Sequence, residues 1–98
     1  MREMNKLNQI REEILAVDLC VIDLLARRDA LICEIAHAKE SLGHAVLQKE
    51  VFDSMQEARR LHGADLRLDA NYIESVFDII HRRSVMVQER KRQQHESD

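Results

Sequence analysis

From Leu7 to Leu42 the chain reads LNQIREEILAVDLCVIDLLARRDALICEIAHAKESL, and its apolar residues return in alternating steps of three and four. Leu7, Ile10, Ile14, Val17, Val21, Leu24, Leu31, Ile35, Ala38 and Leu42 mark five heptads without a slip. Arg28 is the one seam position that is not apolar. A repeat of about 3.5 residues keeps one stripe of side chains on one face, so the spacing predicts a single long helix with a coiled-coil-like seam. Nothing from Asn5 to Ser41 breaks it, and Gly43 stands where a C-terminal cap is expected. A helix of about 36 residues spans roughly 54 Å, whereas a compact domain of this size has a radius of gyration of only about 13 Å. Such a helix projects beyond anything its own chain can cover.

The rest of the chain predicts two shorter helices. One runs from about Val46 to Leu61, with Val51, Met55 and Ala58 at core spacing beside Phe52. Gly63 is read as its end and His62 to Leu68 as the connection. Asp69 is the candidate N-cap of the next helix, which carries Ile73, Val76, Phe77, Ile80 and Val87 on one stripe. From Glu89 the apolar face disappears, so a frayed polar tail is expected there.

Composition agrees with an all-α reading. The chain has no Pro or Thr, two Gly and three aromatic residues, while Leu, Ala, Glu, Arg and Ile are plentiful. Its 98 residues make one domain, 1–98, with no internal repeat. Three helices of such unequal length do not close a monomeric bundle. The economical arrangement is an intertwined homodimer whose long helices pack along each other.

A net charge of −3 argues against general affinity for nucleic acid, and Arg90-Lys91-Arg92 is short enough to read as a solvated helix end. No apolar run suits a membrane span or signal peptide, which points to the cytoplasm. Cys20 and Cys33, thirteen residues apart on one helix, sit roughly 20 Å from each other and are expected as buried small hydrophobes. No histidine pair shows the i,i+4 spacing of a metal site, and none is expected.

Two residues break the apolar pattern, Arg28 in the first helix and Ser84 in the third. A guanidinium in a core needs an anionic partner or a wet cavity. Lys39 follows Arg28 by eleven residues, three turns on and about 20° around the axis, and Gln88 follows Ser84 by four. Arg11 lies too far along its own helix to reach Lys39, but an antiparallel copy delivers it. Three cations and two neutral hydrogen-bonding groups, without a nucleophile or base, suit a small dianion. Spacing alone leaves open a blander reading, in which Arg28 sets register or pairs with one of the many Asp and Glu residues.

The motifs carry a resemblance. Leu7-Asn8-Gln9-Ile10-Arg11-Glu12-Glu13-Ile14 with Asp18, Leu24-Leu25-Ala26-Arg27-Arg28, Ile35-Ala36-His37-Ala38-Lys39, Leu68-Asp69-Ala70-Asn71-Tyr72-Ile73, and the stretch from Ile79 to Gln88 stand in order and at the right spacing. Over Leu7 to Gln88, without a gap, the chain resembles the all-α (AroQ) class of chorismate mutases. The resemblance implies a dimer with two shared sites and no cofactor. It implies that Arg11 of the second copy and Arg28 hold the substrate carboxylates with help from Ser84, and that Lys39 and Gln88 serve the ether oxygen. The pericyclic rearrangement of chorismate to prephenate then needs only the reactive conformer and donors at the developing charge.

One segment departs from the family. Where its members carry an acidic residue and then Arg-Glu at the start of helix two, the gap-free register places Gln48, Val51 and Phe52. Shifting the register by two would bring in Lys49 and Glu50 but move Met55 and Ala58 off the expected core. The missing carboxylate would contact the substrate's ring hydroxyl. Three readings follow: an unusual chorismate mutase, an enzyme for a relative such as isochorismate (as a pyruvate lyase) or aminodeoxychorismate, or a non-catalytic dimeric module. Retention of Arg11, Arg28, Lys39, Ser84 and Gln88 favours an enzyme.

Overall fold

The computed structural model describes residues 1–97. The fold is all-α, with three helices and no strand among the described residues: α1 Arg2–Leu42, α2 Lys49–Asp65 and α3 Ala70–Ser97. Helix α1 is 41 residues long, slightly longer than the heptads require, because Arg2 to Lys6 also lack any breaker. It ends as expected. Gly43 takes φ +73°, its amide bonds the Glu40 carbonyl at 3.1 Å, and the His44 amide bonds that of Lys39 at 2.7 Å. A residue with no Cβ adopts that left-handed conformation without strain.

The chain divides into two compact units, Met1–Leu31 and Ile32–Asp98. The first is the amino-terminal stretch of α1. Its seam residues are open to solvent in the single chain, from Leu7 at 42% exposure to Val17 and Leu24 at 62%. Only Arg28 and Asp29 are half-buried there. Cys20 is exposed and Cys33, in the second unit, is half-buried; both are free thiols, so the expectation that both are buried fails in the single chain.

In the second unit α2 and α3 pack antiparallel. Phe52 meets His81, Arg59 lies over the Phe77 ring at 4.6 Å, and Gly63 faces Ile73. The packed face of α2 is therefore Phe52, Gln56, Arg59 and Gly63, spaced by four, three and four. The expected core residues Val51, Met55 and Ala58 are exposed in this chain. The stripe is one residue off, since the sequence offers polar Gln56 and Arg59 where packing selects long stems that lie along an apolar surface.

Gly63 does not end α2. It is buried within the helix, and a Cβ there would stand 3.0 Å from Ile73 Cγ1, so the glycine permits close approach. The stop is Arg67, at φ +61°, with its amide bonding the Ala64 carbonyl at 3.0 Å and the amides of Leu66 and Leu68 both bonding that of Gly63. A left-handed arginine costs roughly 1–2 kcal/mol, which the capping bonds offset. At the other end, α2 begins at Lys49 instead of Val46, with Gln48 extended before it (φ −121°, ψ 95°).

Asp69 caps α3 as expected, its Oδ1 accepting from the amides of Asn71 at 2.7 Å and Tyr72 at 3.2 Å. Ile73, Val76, Phe77 and Ile80 are half-buried and Ser84, Val87 and Gln88 buried. The helix does not fray at Glu89 but continues to Ser97, because Arg, Lys and Gln are good helix formers even without an apolar face.

Candidate functional site

The end of α1, the connection after it and the middle of α3 converge on Lys39. Helix α1 brings the Lys39 ammonium to half-buried depth, where it donates to the Gln88 Oε1 at 2.9 Å and to the Val46 carbonyl at 2.7 Å. An ammonium carries three donors, so two bonds orient the third. Burial first, and the Arg92 charge second, push the Lys39 pKa below the usual lysine value.

Gln88 is buried, and its Nε2 donates to the Ser84 carbonyl at 3.3 Å. With Lys39 holding the amide oxygen, the NH₂ end is the end left to face a ligand. Ser84 is buried one turn earlier and donates to the Ile80 carbonyl at 3.0 Å, a bond within its own helix. Gln48, half-buried ahead of α2, brings its Nε2 within 3.4 Å of the His44 Nδ1. Val51 is 49% exposed. Phe52 is turned to α3, its ring 4.0 Å from that of His81 at an interplanar angle of 41°.

The structure thus brings Lys39 and Gln88 into contact and places Ser84 on the same helix face as Gln88. Arg11 and Arg28 belong to the other unit. Arg11 is exposed there, while Arg28 is half-buried; burial lowers its pKa and the neighbouring Asp29 charge acts the other way. Among the described residues no group of His, Cys, Asp and Glu could hold a metal ion, and no helix is long and apolar enough to cross a membrane.

Residues 10–89 match the family described as chorismate mutase type II. The chain belongs to that family. Two relatives of the chorismate mutase kind are similar along most of it. A bifunctional chorismate mutase/prephenate dehydratase of Enterobacter agglomerans is 33% identical over 89 residues, covering 91% of this chain and 23% of that protein. A 4-amino-4-deoxychorismate mutase of Streptomyces venezuelae is 29% identical over 80 residues, covering 82% of this chain and 78% of that protein. The chain therefore spans about a quarter of the first relative and over three quarters of the second. No solved structure matches.

Sequence reasoning missed two neighbours of this candidate site. By sequence Arg92 groups with Arg90 and Lys91 as a solvated helix end; those two are exposed, but Arg92 is half-buried and donates to the His44 carbonyl. The signal was present, since Arg92 follows Gln88 by four residues and shares its face. His81 likewise stands seven residues before Gln88, two turns back on nearly the same face. Its partnership with Phe52 depends on how α2 is registered against α3, which no single-helix pattern reveals.

Proposed function

We propose that this chain is an isomerase that rearranges chorismate to prephenate, or a close analogue of chorismate in the same manner, as a cytoplasmic homodimer without a cofactor. The observation that carries the reading is the Lys39–Gln88 contact at 2.9 Å, beside buried Ser84, in a chain of the chorismate mutase family. In the chair-like transition state the breaking C–O bond leaves negative charge on the ether oxygen. A lysine ammonium fixed by two acceptors offers its remaining N–H there with little reorganisation, and the Gln88 amide supplies a neutral donor. Arg28 and the second copy's Arg11 are proposed to bind the carboxylates, and Ser84 to assist. Gln48, Val51 and Phe52 form the wall that meets the ring substituent. A specific second reading is an aminodeoxychorismate substrate, favoured by the similarity to the Streptomyces venezuelae protein and by Phe52 standing where a hydroxyl-binding carboxylate is usual.

Incubating the protein separately with chorismate, isochorismate and aminodeoxychorismate, and identifying products, tests the proposal. Prephenate or its amino counterpart is expected. Pyruvate released from isochorismate would move the protein to the lyase reading, and no turnover of any of the three would leave the non-catalytic module.

The second copy is proposed as the cover for the α1 seam, on the strength of its heptad spacing and its exposed Ile10, Ile14, Val17, Val21 and Leu24. Light scattering at micromolar concentration should return twice the chain mass, and the unfolding midpoint should rise with protein concentration. A fully helical monomer would overturn both the dimer and the shared site.

A further inference from the structure

The connection between α1 and α2 has little backbone bonding of its own. After the His44 amide, which still bonds Lys39, the amides of Ala45, Val46 and Leu47 make no backbone–backbone hydrogen bond among the described residues. Two cations hold it instead. Lys39 donates to the Val46 carbonyl at 2.7 Å, and Arg92 donates to the His44 carbonyl through Nη2. Hydrogen bonds from charged donors are roughly twice as strong as neutral ones, so these two anchors govern where a short, otherwise unladdered segment sits.

The arrangement is not electrostatically neutral. Burial disfavours the charge on Lys39, and the nearby Arg92 charge adds to that cost. The Arg92 Nε is enclosed and has no hydrogen-bond partner among the described residues. Beside it a cavity of about 230 Å³ is lined by Glu40, Gly43, His44 and Arg92. The titratable and charged groups around this corner are thus Lys39 and Glu40 on α1, His44 in the connection and Arg92 on α3. An arginine committed to a backbone carbonyl against such repulsion acts on the segment's geometry.

We propose that Arg92 is a positioning residue for Lys39: its clamp on the His44 carbonyl fixes the connection whose Val46 carbonyl holds the ammonium against Gln88. The clamp links α3 to the end of α1 through a segment that neither helix would order alone. Its catalytic consequence rests on the proposed role of Lys39 as donor to the ether oxygen, but the clamp itself does not. Loss of Arg92 frees the His44 carbonyl, lets Val46 move, and releases the ammonium from one of its two acceptors. The misplaced donor then serves the transition state less well, while the carboxylate contacts that dominate substrate binding are untouched.

The experiment compares Arg92→Ala and Arg92→Lys with the parent chain. Arg92 sits near the end of α3, away from the α2–α3 packing, so circular dichroism should report an unchanged fold. Arg92→Ala is expected to lower kcat by about 10- to 100-fold on the best substrate, as for a misplaced catalytic group, with KM within about threefold. Arg92→Lys, which keeps a charged donor, should recover part of that loss. Two readouts do not depend on turnover. Amide hydrogen exchange at His44, whose amide bonds the Lys39 carbonyl, should quicken by at least about tenfold in Arg92→Ala. The side-chain NMR titration of Lys39 should move up in Arg92→Ala and stay near the parent in Arg92→Lys. A rise in KM with kcat unchanged would make Arg92 a direct substrate contact and overturn the proposal. So would unchanged exchange at His44 together with an unmoved Lys39 titration. If the parent turns over none of the three substrates, the proposed function falls, and exchange and titration alone decide the clamp.

Discussion

Lys39→Ala should lower turnover by roughly 10²–10³ or more on whichever substrate proves best, the scale for removing one donor aimed at a developing oxyanion. The fold should persist, because the Lys39 ammonium bonds one loop carbonyl and one amide and fills no apolar space. The pH profile gives an independent check. Lys39 must be protonated to donate, and burial together with the Arg92 charge holds its pKa below the ordinary 10.5. Activity should therefore be full on the acid side of that lowered pKa and fall as pH rises through it, earlier than an unperturbed lysine would allow. Substrate bound as a dianion would pull the midpoint of kcat upward relative to that of kcat/KM. Comparable activity in Lys39→Ala and the parent would remove Lys39 from the site. Arg28→Ala, by contrast, should mainly raise KM.

How far the sequence discloses this molecule depends on whether a feature is periodic within one helix. The heptads of α1, the Gly43 cap and the Asp69 cap are local, and each stands where spacing and capping chemistry put it. The Lys39–Gln88 meeting was legible for a different reason: matched motifs on two helices fix which faces oppose each other. What failed was relational. Val51, Met55 and Ala58 form a plausible apolar stripe, yet α2 packs one residue further round, through Phe52, Gln56, Arg59 and Gly63. That choice follows from Gly63 accepting Ile73 at close range and Arg59 lying on Phe77, neither of which is written in α2 alone. Gly63 was misleading because the usual helix stop is glycine, whereas here arginine takes the left-handed position. The gap-free register counts Met55 and Ala58 as core, and both are exposed in this chain. In the structure Phe52 meets His81.

That contact sharpens what should happen when the family pattern is restored in helix two. Val51→Arg and Phe52→Glu together should raise kcat/KM for chorismate by at least about tenfold. One recovered hydrogen bond to the ring hydroxyl and one recovered charge pair supply that scale, since a polar group left unpaired in a dry pocket costs on the order of 1–3 kcal/mol. Val51 is half-exposed, so an arginine there needs no rearrangement of the α2–α3 packing. Phe52 is different: its ring lies 4.0 Å from His81, and the change removes that contact. The introduced carboxylate also emerges beside the imidazole, which competes with the substrate for it. Adding His81→Leu to the pair removes that competitor, so the triple variant should equal or exceed the double on chorismate. If the natural substrate lacks the hydroxyl, as an amino analogue does, the double variant should lose activity on it while gaining on chorismate. The crossing of those two rates identifies the Phe52–His81 wall as the reader of the ring substituent. A parent already fully efficient on chorismate, and damaged by the restoration, would mean that Phe52 does not occupy the carboxylate's place, and that the departure in helix two has no bearing on substrate choice.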